Sequence, residues 1–149
     1  MKLSENKKQD IALLVLRLAA GVIFVLHGYG KLFGGNPGME GFTKMVTGLG
    51  FPLPVVFAYA AALSEFLGGI ALILGIFPRA ATFFLGCVML VALIAVKKGQ
   101  LPKADPDLAL LAIVVAIALH GAGRYSLGMF LRKKAAAPGS TPAPTQPMP

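Results

Sequence analysis

The chain is poor in charge. Asp, Glu, Lys and Arg make up 13% of its 149 residues, and 56% are hydrophobic, whereas a soluble domain carries about 25% charge. With a mean hydropathy of +0.76, too few polar groups remain to cover a water-facing surface. A soluble globular domain is excluded, and the apolar surplus calls for the lipid bilayer as solvent. Acidic residues are scarcer still, 6 against 14 basic ones. The net charge of +8 lies mostly at the ends of apolar runs, as the positive-inside rule arranges it, and not along one face as a polyanion site requires. No nucleic-acid partner is expected. Cys87 is the one cysteine, so an intramolecular disulfide, a C-x-x-C pair and a cysteine metal cluster are excluded. Flavin and dinucleotide fingerprints and iron or haem ligand sets are missing as well. The chain stores no electrons of its own, and no covalently bound cofactor and no metal are expected.

What is present is four apolar runs, which predict membrane helices at about 11–28, 55–77, 80–96 and 108–123. A cleaved signal peptide does not fit the first run, because Arg17 interrupts it and HGYGK is no A-x-A site. Only Pro78 and Arg79 separate the second and third runs, so those helices form a tight antiparallel hairpin with proline at a first helical position. Lys2, Lys7, Lys8, Arg79, Arg124, Arg132, Lys133 and Lys134 fall on one side, and Lys31, Lys44, Lys97, Lys98 and Lys103 on the other. This bias places both termini in the cytoplasm. The expectation is an all-α, integral membrane four-helix bundle, multi-pass, with both termini cytoplasmic. Residues 1–10 form its cytoplasmic N-terminus, 11–134 the membrane domain, and 135–149 a disordered Pro/Ala-rich tail. Between the first two runs, Met39, Phe42, Met45, Val46 and Leu49 recur at helical spacing. They fit either a short interfacial helix or a cap over the bundle mouth.

Ionisable residues inside a membrane are costly and therefore mark sites or special contacts. Arg17, His27, Glu65 and His120 qualify. Arg17, Ala20, Gly21, Phe24, His27, Gly28 and Lys31 share one helical stripe, and Ala58, Ala61, Ala62, Glu65, Gly68, Gly69 and Leu72 share another. Ala109, Ala112, Ala116, His120 and Gly123 repeat the pattern on the fourth helix. Small residues beside a charge let helices approach closely. Glu65 lies about 15 Å from its helix start, within reach of a long arginine on a neighbour. An Arg17–Glu65 pair is expected, either to fix helix register or to act chemically. His27 opens into a glycine-rich, electropositive mouth with Lys31, which suits an anion or a polar head group and equally a histidine bonded to backbone. His120 is read as a packing histidine more readily than as a ligand.

The segments LRLAAGVIFVLHGYGKLF, GFPLP, SEFLGGIALILGIFPRAATF and GAGRYSLG occur in this order, and the chain resembles the DoxX family from about Leu16 to Gly128. The resemblance implies a four-helix inner-membrane protein related to the small subunits of thiosulfate:quinone oxidoreductase and to partners of thiol-stress systems. Two positions depart from the family pattern: Gly128 stands where aspartate is usual, and Asp107 where glutamate is frequent. The leading expectation is a quinone-linked membrane oxidoreductase component. Arg17, Glu65 and His27 are its candidate catalytic residues, and Phe24, Lys31, Tyr59, Phe66 and His120 line the quinone slot, since quinone chemistry needs proton donors beside an apolar cleft. The alternatives are a non-enzymatic anchor or scaffold for a soluble redox or stress-response protein, and third a small anion transporter, for which four helices would have to form a homo-oligomer.

Overall fold

The computed structural model describes residues 5–34, 38–98 and 101–135; of the expected tail, residues 136–149 lie outside the described residues. All regular structure described is helical: α1 (Glu5–Phe33), α2 (Gly38–Gly48), α3 (Pro54–Leu74), α4 (Pro78–Val91, continued by a π-helical turn over Ala92–Val96), α5 (Leu101–His120) and α6 (Leu127–Ala135). Three of these are long and apolar enough to cross a membrane: Glu5–Phe33, Pro54–Leu74 and Pro78–Val96. The fourth expected span, α5, is not among them, because Lys103, Asp105 and Asp107 fall in its first two turns.

Helix ends follow local backbone chemistry. α1 starts ahead of the apolar run because no breaker interrupts Asn6 to Asp10, and Lys8 bonds Glu5 at 2.8 Å. At 29 residues it is about 44 Å long, so it extends past the hydrocarbon layer. α3 stops at Leu74 instead of continuing to Phe77. Gly75, in the left-handed region at φ 67°, donates back to Leu72 O, and Ile76 N to Ala71 O, a glycine C-terminal cap. Phe77 follows at φ 44° and hands the chain to Pro78 at the first helical position of α4, so the expected tight hairpin is present. α5 ends at His120 because Gly121 turns left-handed at φ 80°.

α1 packs most extensively on α3, α3 on α4, α4 on α5, and α5 returns to α1, while α2 lies across α1 and α3. The region expected to form an interfacial helix or a cap is thus a helix seated on the bundle, with Val46 buried. The α1–α3 contact is a backbone contact. A Cβ on Gly28 would fall 2.5 Å from Phe66 N, and one on Gly69 would fall 2.8 Å from Gly21 O, so glycine alone permits this spacing. Ala20, Phe24, Leu72, Leu85, Met89, Val114 and Ile117 form the core. Large apolar side chains remain exposed along every long helix, such as Leu26, Leu67, Phe83 and Leu119, a surface suited to acyl chains.

The stripes expected on α1 and α3 are buried in most positions: Arg17, Ala20, Gly21, Phe24 and Gly28, and Ala58, Ala62, Glu65, Gly68, Gly69 and Leu72. The stripe expected on the fourth helix is corrected. α5 buries Leu110, Val114 and Ile117, whereas Ala109, Ala112 and His120 are exposed. This helix is apolar on all sides, so its sequence carries little phase information.

Candidate functional site

Glu65 sits in the middle of α3, 2% exposed, and its carboxylate accepts from Lys31 Nζ at 2.5 Å on both oxygens. Lys31 belongs to the last turn of α1 and keeps a quarter of its side chain exposed. The glycine contact between the helices sets this meeting: Gly28 lies against Phe66, so a lysine one turn beyond Gly28 overhangs Glu65. From α2, the Phe42 ring covers the ammonium, its centroid 4.5 Å from Nζ, a cation–π contact. An ammonium has three donors, and two bonds to Glu65 leave at least one N–H free.

The pair stands in the wall of a cavity of about 890 Å³ at the end of the bundle covered by α2. That volume lies in the range of small-molecule sites, which are mostly apolar with a few convergent polar groups. Leu26, Phe57, Phe84, Val88 and Met89 supply apolar wall, and His27, Ser64, Lys97 and Asp107 stand with Lys31 and Glu65 as its polar members. The π-helical turn contributes Ala92 and Val96; such turns widen a helix and recur at functional sites.

Of the residues singled out from the sequence, the cavity gathers Glu65, His27 and Lys31. Phe24 is fully buried in the core, Tyr59 is 47% exposed, and Phe66 packs edge-on to Phe33 with centroids 5.9 Å apart. None of these three lines the cavity. His120 lies at the opposite end of α5, exposed, its Nδ1 3.0 Å from Ala116 O, beside a cleft of about 170 Å³ with Gln9 and Leu16.

The expected Arg17–Glu65 pair is corrected. Arg17, 1% exposed, spends its guanidinium on backbone carbonyls: Nε donates to Leu72 O at 2.9 Å, Nη2 to Ile73 O at 3.2 Å, and Nη1 to Tyr125 O at 3.2 Å and to Ala122 O. The reason is register. With Gly28 level with Phe66, Arg17 lies about 16 Å further down α1, beyond its side chain's reach to Glu65 and level with the end of α3. There the carbonyls of a helix C-terminus lack intrahelical partners and attract a cation. On the same side, Asp10 Oδ1 accepts from Arg124 N at 3.0 Å, so the start of α1 and the α5–α6 link are joined.

Sequence reasoning did not place Asp107, Lys97 or Cys87 in this cavity wall. Asp107 gave a signal as an acidic residue ahead of the fourth apolar run; Cys87 and Lys97 gave none. Among the described residues no group of three or more His, Cys, Asp or Glu could hold a metal ion.

The sequence model of the DoxX family matches residues 12–98. A Bacillus subtilis protein named "Putative oxidoreductase CatD" is 32% identical over 130 residues, covering 86% of this chain and 92% of its own length. Escherichia coli "Inner membrane protein YqjF" is 29% identical over 137 residues, 87% of this chain and 98% of the relative. "Inner membrane protein YphA" of the same organism is 31% identical over 71 residues, 48% of each chain. No solved structure matches.

Proposed function

This chain belongs to the DoxX family of multi-pass inner-membrane proteins, and from that membership we propose that it is a membrane oxidoreductase component whose cavity at the α2 end holds a quinone. One observation carries the reading: a largely apolar cavity of about 890 Å³ has a buried carboxylate and a lysine with a spare donor in its wall. Leu26, Phe57 and Phe84 suit the ring and its apolar substituents. Lys31 offers its free N–H to a ring oxygen, Glu65 holds the ammonium in place and can exchange a proton at its carboxylate, and His27 is a second proton-bearing group in the same wall. A bound quinone supplies the two-electron capacity that these side chains lack. Arg17 serves this site indirectly, by fixing the far end of α3. Of the aromatic residues expected around the ring, Phe24 supports the wall from the core, and Tyr59 and Phe66 stand outside it.

In this reading α5 is the fourth span and both termini are cytoplasmic. The Asp10–Arg124 contact supports it by joining the start of α1 to the α5–α6 link on the side away from the cavity. The cavity then opens toward the outer leaflet. The purified protein, equilibrated with saturating ubiquinone in detergent and passed through gel filtration, should retain quinone; a protein that emerges empty refutes the reading. The competing reading, an anchor for a soluble redox or stress-response partner, is favoured by Lys133 and Lys134, both exposed on α6. A stoichiometric soluble partner crosslinked in native membranes, with no quinone retained, would select it.

A further inference from the structure

We propose that Asp107 is the second ligand-facing pole of this cavity and that it selects the reduced, hydroxyl-bearing form of the ring, a quinol over a quinone; this rests on the reading that the cavity holds such a ring. Asp107 is in the cavity wall, and its Oδ2 is buried without a hydrogen-bond partner. Buried polar atoms are paired in the great majority of cases, so each orphan calls for an explanation. Among the described residues, the lysines of this wall are Lys31, which is held by Glu65, and Lys97, which makes no ion pair with Asp107. The terminal torsion of aspartate is broad and roughly two-fold, so a small turn exchanges its two oxygens at the cavity face.

The helix contacts fix how the two poles are spaced. Gly68 faces Leu85 and Gly86 faces Val114, which brings Glu65 level with about residue 88 of α4 and Asp107 level with about residue 93. Asp107 therefore stands about 7–8 Å nearer the α2 end than Glu65. One pole offers a donor, the free N–H of Lys31. The other offers an acceptor, because an ionised carboxylate cannot donate. A quinone presents acceptors only, so satisfying Lys31 with one oxygen turns the other toward an oxygen of Asp107. A quinol satisfies both poles, its first oxygen accepting from Lys31 while its second hydroxyl donates to Asp107. Hydrogen bonds to charged groups are the stronger kind, and an unmet one is costly.

The test is equilibrium partition of decylubiquinone and of chemically reduced decylubiquinol, kept anaerobic, between nanodiscs carrying the protein and empty nanodiscs. The wild-type chain should bind the quinol at least about tenfold more tightly. Asp107→Asn, which offers a donor as well as an acceptor, should bring the two affinities within about twofold, with unchanged gel-filtration behaviour. Equal binding of both forms by the wild type, or a quinol preference that persists in Asp107→Asn, overturns the assignment of Asp107 and leaves the cavity as a ring site. Failure of both forms to bind overturns the cavity reading and this inference together. Should Asp107→Asn fold poorly, Asp107→Ser, which also removes the charged acceptor, should lose the quinol preference in the same way, and a preference that persists there overturns the assignment.

Discussion

Lys31 Nζ lies 2.5 Å from Glu65 Oε2 across a sequence separation of 34 residues, and this is the ion pair that α1 and α3 make inside the bundle. Its partners are those that the glycine-mediated contact of the two helices allows. A carboxylate 2% exposed without its cation would be a stranded charge.

Removing both partners of this pair should cost less than the sum of the two single losses. Lys31→Met is expected to destabilise by about 2–4 kcal/mol, the range for an uncompensated buried charge reduced for the partial exposure of Lys31. Glu65→Gln should cost less, because the lysine can turn toward the cavity mouth. The double variant should recover at least about 1 kcal/mol relative to the sum of the singles. Denaturation in detergent checks this, and strictly additive losses would mean that the pair is not coupled.

Arg17→Lys should destabilise by about 2–4 kcal/mol, since a lysine cannot serve four carbonyls at a planar fork's spacing and each buried acceptor left unmet costs about 1–3 kcal/mol. Quinone affinity per folded molecule should stay within about twofold, because the guanidinium bonds Leu72 and Ile73, about 10–12 Å along α3 from Glu65. Thermal midpoint and quinone partition, measured on the same sample, separate the two effects.

Gly75→Ala should lower stability through the same contact. A Cβ there meets the Arg17 guanidinium and Ser126 Cβ, at a backbone angle of φ 67° that alanine disfavours. The expected loss is about 1–3 kcal/mol. Gly86→Ala is the control, since the nearest atom to its added Cβ is 3.9 Å away. It should be neutral or slightly stabilising, because alanine is the better helix former.

Gly28→Ala should act on the site as well as on the fold. Its Cβ would fall 2.5 Å from Phe66 N, so α1 and α3 must separate and Lys31 loses its seat over Glu65. Reduced thermal stability together with at least a fivefold loss of quinone affinity is expected. Loss of stability with full affinity in the surviving protein would show that the cavity does not depend on this contact.

Much of the architecture was legible because it rests on local chemistry. Gly75 and Pro78 carry the hairpin signal, and the small residues around Glu65 place α3's buried face. The partner of Arg17 was not legible. Pairing by charge sign favours Glu65, but helix register decides, and register is set by which glycine backbone touches which, a long-range fact. The inward face of α5 was hidden for another reason, since an all-round apolar helix has no polar side to mark its phase. Asp107 announced itself as a charge ahead of the fourth run, yet its place in the same cavity wall as Glu65 depends on how α5 stacks against α4.

Cys87, the one thiol of the chain, lies in the cavity wall with Lys31 and Glu65 and so reports directly on occupancy. The decisive measurement is its alkylation rate by N-ethylmaleimide in nanodiscs, with and without saturating decylubiquinol, in the wild type and in Lys31→Met. Ligand should slow the wild-type reaction at least about fivefold and the variant's much less, as expected when a charged hydrogen bond is lost. A wild-type rate that is the same with and without ligand would contradict the cavity as the binding site.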